Sequence, residues 1–191
     1  QWQFYFFFLF VSLFHHLSYC QQPYLNNLQL NCDRFDSVTG GYVCSDQPQS
    51  SCNSFVTFRS RQPYDTAVTI AYLLGSSPSE VALINNISNS DKVAPDKPII
   101  VPVSCSCSNG FYQHDTPYTV KNESETYFSI ANNTYGGLTT CQALVARNLF
   151  VAQATNLSAG SELMVPVRCA CPSANQTSNG VSFLISYMIT W

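Results

Sequence analysis

The chain opens on a nearly continuous apolar block, residues 4 to 14 (Phe-Tyr-Phe-Phe-Phe-Leu-Phe-Val-Ser-Leu-Phe), and then changes character. Short apolar segments alternate from there on with runs rich in Ser, Asn, Thr and Pro. The block is about as long as the core of a signal peptide and too short to span a bilayer. Polar turn chemistry begins directly after it, which argues for a leader rather than a buried strand. Cleavage between Cys20 and Gln21 would leave Ser18 and Cys20 at the two small-residue positions that signal peptidase reads.

Beyond the leader the pattern repeats. Ile99-Ile100-Val101-Pro102-Val103-Ser104-Cys105-Ser106-Cys107 is echoed 64 positions later by Leu163-Met164-Val165-Pro166-Val167-Arg168-Cys169-Ala170-Cys171. Upstream, Asp65-Thr66-Ala67-Val68-Thr69-Ile70-Ala71 matches Glu125-Thr126-Tyr127-Phe128-Ser129-Ile130-Ala131, and Asn86 is aligned with Asn148. Two whole modules follow from this self-similarity, each reading strand, helix, helix, strand. In the first, Phe55-Val56-Thr57-Phe58 is an aromatic and β-branched strand, and Ala67, Ile70, Ala71 and Leu74 carry helical spacing. Ser77 is expected to cap the second helix, with Pro78 in its first turn and Glu80 bonding back. In the second module Tyr118-Thr119-Val120 reads as the strand, and Thr139 to Gln142 as a second capping box. Pro95 and Pro98, and the turn Ser158-Ala159-Gly160-Ser161, separate each second helix from its returning strand.

The cysteines change the picture next. There are nine, of which Cys20 falls in the leader, so the mature chain keeps an even number. Charged residues are only 10% of the chain, and five sequons (Asn86, Asn122, Asn132, Asn156 and Asn175) accompany them. This is the composition of a glycoprotein made in an oxidising compartment, where disulfides persist. Eight cysteines allow 105 connectivities, and spacing alone does not choose among them. Because a strand sends alternate side chains to opposite faces, the cysteines of each Cys-x-Cys are expected to reach different partners and clip the modules together. A zinc site built from the two motifs fits less well, since structural zinc prefers wider ligand spacing and thiolates that secretion oxidises. No metal or cofactor is expected.

Charge and titratable groups narrow the function. A net charge of -3 without a basic cluster leaves no footprint for nucleic acid or anionic lipid. Hydrolysis of a glycan needs two carboxylates flanking the scissile bond. The acidic residues here sit mostly in polar, turn-like stretches, and His114, in a connector, has no nucleophile motif beside it. A binding module for a neutral ligand is expected, with no catalytic residue.

Two modules of about fifty residues, each closing on Val-Pro-Val-x-Cys-x-Cys, resemble the extracellular LysM domains of plant LysM receptor-like kinases. Gln21-Gln22-Pro23-Tyr24, Phe111-Tyr112-Gln113-His114 and Leu138 to Ala143 further resemble the chitin-receptor subgroup whose kinase is catalytically degenerate. The resemblance implies an α+β fold of tandem βααβ modules clipped by disulfides, on the extracellular face of the plasma membrane. It divides the chain into a leader (1–20), a cysteine-containing segment (21–54), a first module (55–107), a second (117–171) and the start of a third (181–191). A complete third module, a membrane helix and a cytoplasmic kinase are implied beyond Trp191. The family's pairing is Cys44 with Cys107, Cys52 with Cys171 and Cys105 with Cys169, leaving Cys32 with Cys141. It implies a groove for N-acetylglucosamine oligomers between two loops. In the second module these are Glu123, Ser124, Glu125 and Thr126 on one bank, and Asn148, Leu149, Phe150, Val151 and Ala152 on the other. Implied partners are chitin or lipo-chitin oligosaccharide and a kinase-active LysM co-receptor. The sequon at Asn86, matched to Asn148, would cover the groove of the first module and favours the second.

Overall fold

Asn109-Gly110 sets how the two modules join. The computed structural model describes residues 32, 41–44, 51–148 and 157–187, and in it both residues have positive φ, 52° and 83°, as a type I′ turn requires. Glycine meets that demand without strain, and its Cα faces open space. The turn folds β2 (Pro98–Ser108) back on β3 (Phe111–Thr119), pairing Ser106 with Gln113, Cys107 with Tyr112 and Ser108 with Phe111. The connector expected here is therefore a tight hairpin. The second module's first strand begins at Phe111, and Val120, expected within it, lies past its end.

The remaining strands build outward from that hairpin. Antiparallel to β2 runs β1 (Ser51–Arg59), and antiparallel to β3 runs β4 (Glu162–Arg168). A two-residue β5 (Ile185–Ser186) lies parallel to β1, giving the order β4-β3-β2-β1-β5 in one mixed sheet. Within 181–191, the segment expected to open a third module, these two residues are the described strand. The inward face follows the period of two: Val56 and Phe58 on β1, and Ile99, Val101, Val103 and Cys105 on β2, are buried.

Each module lays its helices on this face. In the first, α1 (Ala67–Leu73) buries Ala67, Ile70, Ala71 and Leu73, and α2 (Pro78–Asn85) buries Val81 and Ala82. In the second, α3 (Tyr127–Ser129) runs into a π-helical turn, Ile130–Thr134, and α4 (Cys141–Arg147) follows. A short α5 (Ala174–Ser178) precedes β5. The caps repeat with the sequence: Thr66 and Thr126 each accept from the third helical amide, and Thr69 and Ser129 bond back to the cap.

Two expected caps are corrected. Ser77 stands at the start of α2 but caps nothing, its hydroxyl lying 3.3 Å from that of Ser79. The cap of α4 is Thr140, which accepts from Ala143, one residue after the expected Thr139. Gln142 is buried in that helix, and with Thr140 as the cap the third helical residue is Ala143.

The seam between the modules is polar and specific. The last carbonyls of a helix lack intrahelical donors, and the second module supplies them to α1. Leu73 O accepts from Thr116 Oγ1 at 3.1 Å and from Tyr135 OH at 3.3 Å. The His114 ring lies between Leu74 O (3.1 Å) and Ser104 O (2.9 Å). Gly75 makes room for it: a Cβ there would sit 3.0 Å from His114 Nε2. His114, expected in a connector, is a strand residue wedged into this seam. Replacing the fully buried Thr116 by Val keeps the shape and deletes the donor. Thr116→Val is expected to cost about 1 kcal/mol, read as a lower urea midpoint with an unchanged slope.

Four disulfides close the fold: Cys32–Cys141, Cys44–Cys107, Cys52–Cys171 and Cys105–Cys169. Contrary to expectation, strand alternation does not separate the two cysteines of a Cys-x-Cys, because residues two apart on a strand share a face. Cys105 and Cys107 diverge instead by their displacement along β2: the first stands opposite Cys52 in the ladder, the second opposite Tyr112. The sulfurs of Cys52, Cys105 and Cys171 lie within 4.8 Å of one another. Each is already bonded to another sulfur, so the cluster is two neighbouring disulfides and offers no thiolate to a metal. No helix among the described residues is long and apolar enough to cross a membrane.

Candidate functional site

The loop that leaves β3 is fixed before any ligand arrives. Its start is tied to the turn before β4, Val120 N donating to Ser161 O and Gly160 N to Val120 O. Asn122 then organises the bend: its Oδ1 accepts from Ser124 N at 3.0 Å and from the Ser124 hydroxyl, and its carbonyl accepts from Glu125 N. This is an Asx turn, in which a short amide side chain stands in for backbone.

Glu125 carries the strongest constraint. One carboxylate oxygen accepts from Tyr118 OH and the other from Lys121 N, both at 2.8 Å. Burial, and then the Glu125 carboxylate, push the Tyr118 phenol well above its ordinary range, so it stays a donor. Thr126 spends its side chain on the cap of α3. Of the four residues expected on the first bank, the structure thus brings all into one loop, but only Glu123 and Ser124 are exposed. Glu125 and Thr126 hold the loop's shape.

The second bank starts at Asn148, which is buried at the end of α4. Its amide donates to Leu144 O at 2.7 Å and Met164 O at 2.9 Å, while its carbonyl accepts from Met164 N at 2.8 Å. Three bonds exhaust most of what a carboxamide can make. The residue therefore pins helix to returning strand. Leu149, Phe150, Val151 and Ala152 lie outside the described residues, as does the sequon Asn156.

The same clip recurs in the first module, and it corrects the alignment. Asn85, not Asn86, donates to Val81 O and Ile100 O and accepts from Ile100 N. Asn86 is the next residue, exposed and in the left-handed conformation at the end of α2. The tandem Asn-Asn made either assignment possible in sequence, and only the ladder position of Ile100 resolves it.

Several residues at the site carried no motif. Lys121 Nζ donates to Tyr64 OH at 2.5 Å and lies 4.5 Å from the centre of that ring, joining the modules beside the first bank. Arg61 Nη1 bonds Asn133 O across the same boundary. Both Arg61 and Tyr64 belong to the β1–α1 loop, so the signal was the module repeat itself, which makes that loop the counterpart of residues 120–126. A surface groove of about 540 Å³ lies elsewhere, between α2, the first module's strands and His114, lined by Phe55, Glu80, Leu83, Ile84 and Pro102 among others. None of the expected bank residues lines it.

Carboxylates elsewhere are engaged in ways that suit structure. Asp115 receives Arg147 through two nitrogens at 2.8 and 3.1 Å, Asp96 meets Arg59 at 3.3 Å, and Asp65 meets Lys92 at 3.7 Å.

Two strand-helix-helix-strand modules sharing one sheet and bound by disulfides define a tandem LysM protein. The family model for the LYK3/4/5 LysM2 domain matches residues 111–168, and that for the NFP/LYK LysM1 domain matches residues 51–108. The chain belongs to the plant LysM receptor-like kinase family, as an ectodomain. It is 43% identical to protein LYK5 of Arabidopsis thaliana over 191 residues, 95% of this chain and 28% of that protein. It is 38% identical to chitin elicitor receptor kinase 1 of the same plant over 88 residues, 46% of this chain and 14% of that protein. The chain thus spans a minor part of these relatives' lengths. The crystal structure of the ectodomain of a receptor-like kinase superposes with a TM-score of 0.63 at 26% identity, covering 73% of this chain and 72% of that one. A disulfide-rich receptor ectodomain of this kind is a secretory-pathway, extracellular module.

Proposed function

We propose that this ectodomain binds chitin-type N-acetylglucosamine oligosaccharides in the groove of its second module, at the outer face of the plasma membrane, for immune or symbiotic signalling with a kinase-active LysM co-receptor. The observation that carries this reading is the preformed first bank. Exposed Glu123 and Ser124 ride on a loop whose shape Asn122, Glu125 and Thr126 fix through hydrogen bonds. Pre-organisation lowers the ordering cost that a flexible, neutral sugar would otherwise impose on its receptor. The likeness to a protein named as a chitin elicitor receptor kinase adds support. The Asn86 sequon favours the second module, since a glycan there would project at the end of α2 beside the Asn85 clip, while a glycan on the exposed Asn122 sequon would stand at the edge of the second module's own first bank.

Titration of the secreted ectodomain with an N-acetylglucosamine hexamer tests this. Ala152→Tyr, which fills the second bank, is expected to weaken binding by about tenfold or more, equivalent to about 1.4 kcal/mol, while Asn86→Gln binds as the wild type does. Because the ligand is uncharged, raised salt should change the affinity little. A lipo-chitin oligomer or a peptidoglycan fragment binding more tightly would redirect the ligand assignment. An Ala152→Tyr variant that folds and binds unchanged would remove the site.

A further inference from the structure

We infer that Tyr64, a residue of the first module, is a positioning residue for the second module's groove, acting through Lys121. This rests on the reading of residues 120–126 as the first bank. The chain of contacts is short. Lys121 Nζ donates to Tyr64 OH and lies 4.5 Å from the centre of the Tyr64 ring, at its hydroxyl end. The same ammonium is 6.0 Å from the centre of the Tyr118 ring. The backbone N–H of Lys121 and the hydroxyl of Tyr118 then take the two oxygens of Glu125. Tyr64 thereby touches a residue that is bonded directly to the brace of the bank.

Tyr64 is itself anchored. Its backbone carbonyl accepts from Arg61 N at 3.1 Å, and its ring meets the buried Phe58 edge-on at 6.5 Å. The Arg61 guanidinium covers Phe58, 5.6 Å from the ring centre, and bonds Asn133 O in the second module. The β1–α1 loop of one module and the β3–α3 loop of the other, counterparts in the repeat, are thus latched to each other. An ammonium hydrogen-bonded to a phenol is less free than a solvated lysine, so the latch restricts where Lys121 and, through its amide, Glu125 can go. Without it the bank keeps its Asx turn and helix cap but loses its tether to the other module.

The test uses the secreted, disulfide-bonded ectodomain and the variants Tyr64→Phe, Lys121→Met and their double. In ligand-free protein, amide hydrogen exchange across residues 120–126 is expected to rise about two- to fivefold in each single variant. The double should show no further rise, and the thermal midpoint should move by less than about 2 °C. Lys121→Arg, which keeps a cationic donor for the Tyr64 hydroxyl, should restore protection. Hexamer affinity should fall by a similar factor in the single variants. Exchange that stays at the wild-type rate in Tyr64→Phe, or effects that simply add in the double, overturn the latch. Faster exchange with unchanged hexamer affinity overturns its role in positioning. A wild type that does not bind the hexamer defeats the proposed function, while the exchange measurement still decides the latch.

Discussion

Removing the Cys105–Cys169 bridge by a paired change to alanine is expected to lower stability by about 3–4 kcal/mol. The bond spans 64 residues, and in the chain-entropy account a closed loop of that size contributes about 4 kcal/mol through the unfolded state, somewhat less when neighbouring bridges already shorten it. Both sulfurs are wholly buried, so alanine also leaves a small void. The path of the chain should survive, because the Asn109-Gly110 hairpin still joins the modules in one sheet. Urea unfolding should show the loss, and amide exchange should locate it along β2 and β4. A paired variant that unfolds at the wild-type midpoint would show that the sheet alone holds the modules.

Asn148→Asp is expected to cost about 3 kcal/mol despite its near-identical shape. The asparagine amide donates to two carbonyls, Leu144 O and Met164 O. A carboxylate there can still accept from Met164 N, but it sets its other oxygen against those carbonyls in a buried site, and an unpaired buried group costs about 1–3 kcal/mol on top of the bonds lost. Protonation restores one donor, so the defect should shrink as the pH falls. Asn85→Asp should behave alike in the first module, where the clip is the same. Because Asn148 sets where the second bank leaves α4, its loss should also weaken oligosaccharide binding, measured at a temperature where the variant is folded. An aspartate variant as stable as the wild type would refute the clip.

What the sequence revealed was what repeats or obeys a local rule. The paired Val-Pro-Val-x-Cys-x-Cys segments announced two returning strands, Pro78 marked a helix start, and the matched Thr66 and Thr126 segments each carry a working capping box. The miss at β3 was avoidable, since Asn-Gly between alternating residues is a strong hairpin signal. Other features depend on distant partners. The carbonyls of Leu74 and Ser104 that embrace His114 are backbone groups, which no side-chain pattern advertises. Glu125 reads in sequence as an exposed acidic residue before a helix, and only the fold brings Tyr118 and Lys121 onto it. The roles of Ser77 and Thr140 turn on rotamers and a single-residue shift, which patterns of polarity do not resolve.

The ladder register also bears on how the chain is made. Synthesis proceeds from the N-terminus, so β1 and β2 can pair before Cys169 and Cys171 have been translated. In that ladder Cys52 stands directly opposite Cys105. Two thiols meant for different partners therefore face each other while both are still unclaimed. An oxidant acting early would join them, sealing the first module on itself and leaving Cys169 and Cys171 without their native partners. Delayed oxidation, or an isomerase that reopens a Cys52–Cys105 bond by thiol–disulfide exchange, would favour the native pairing.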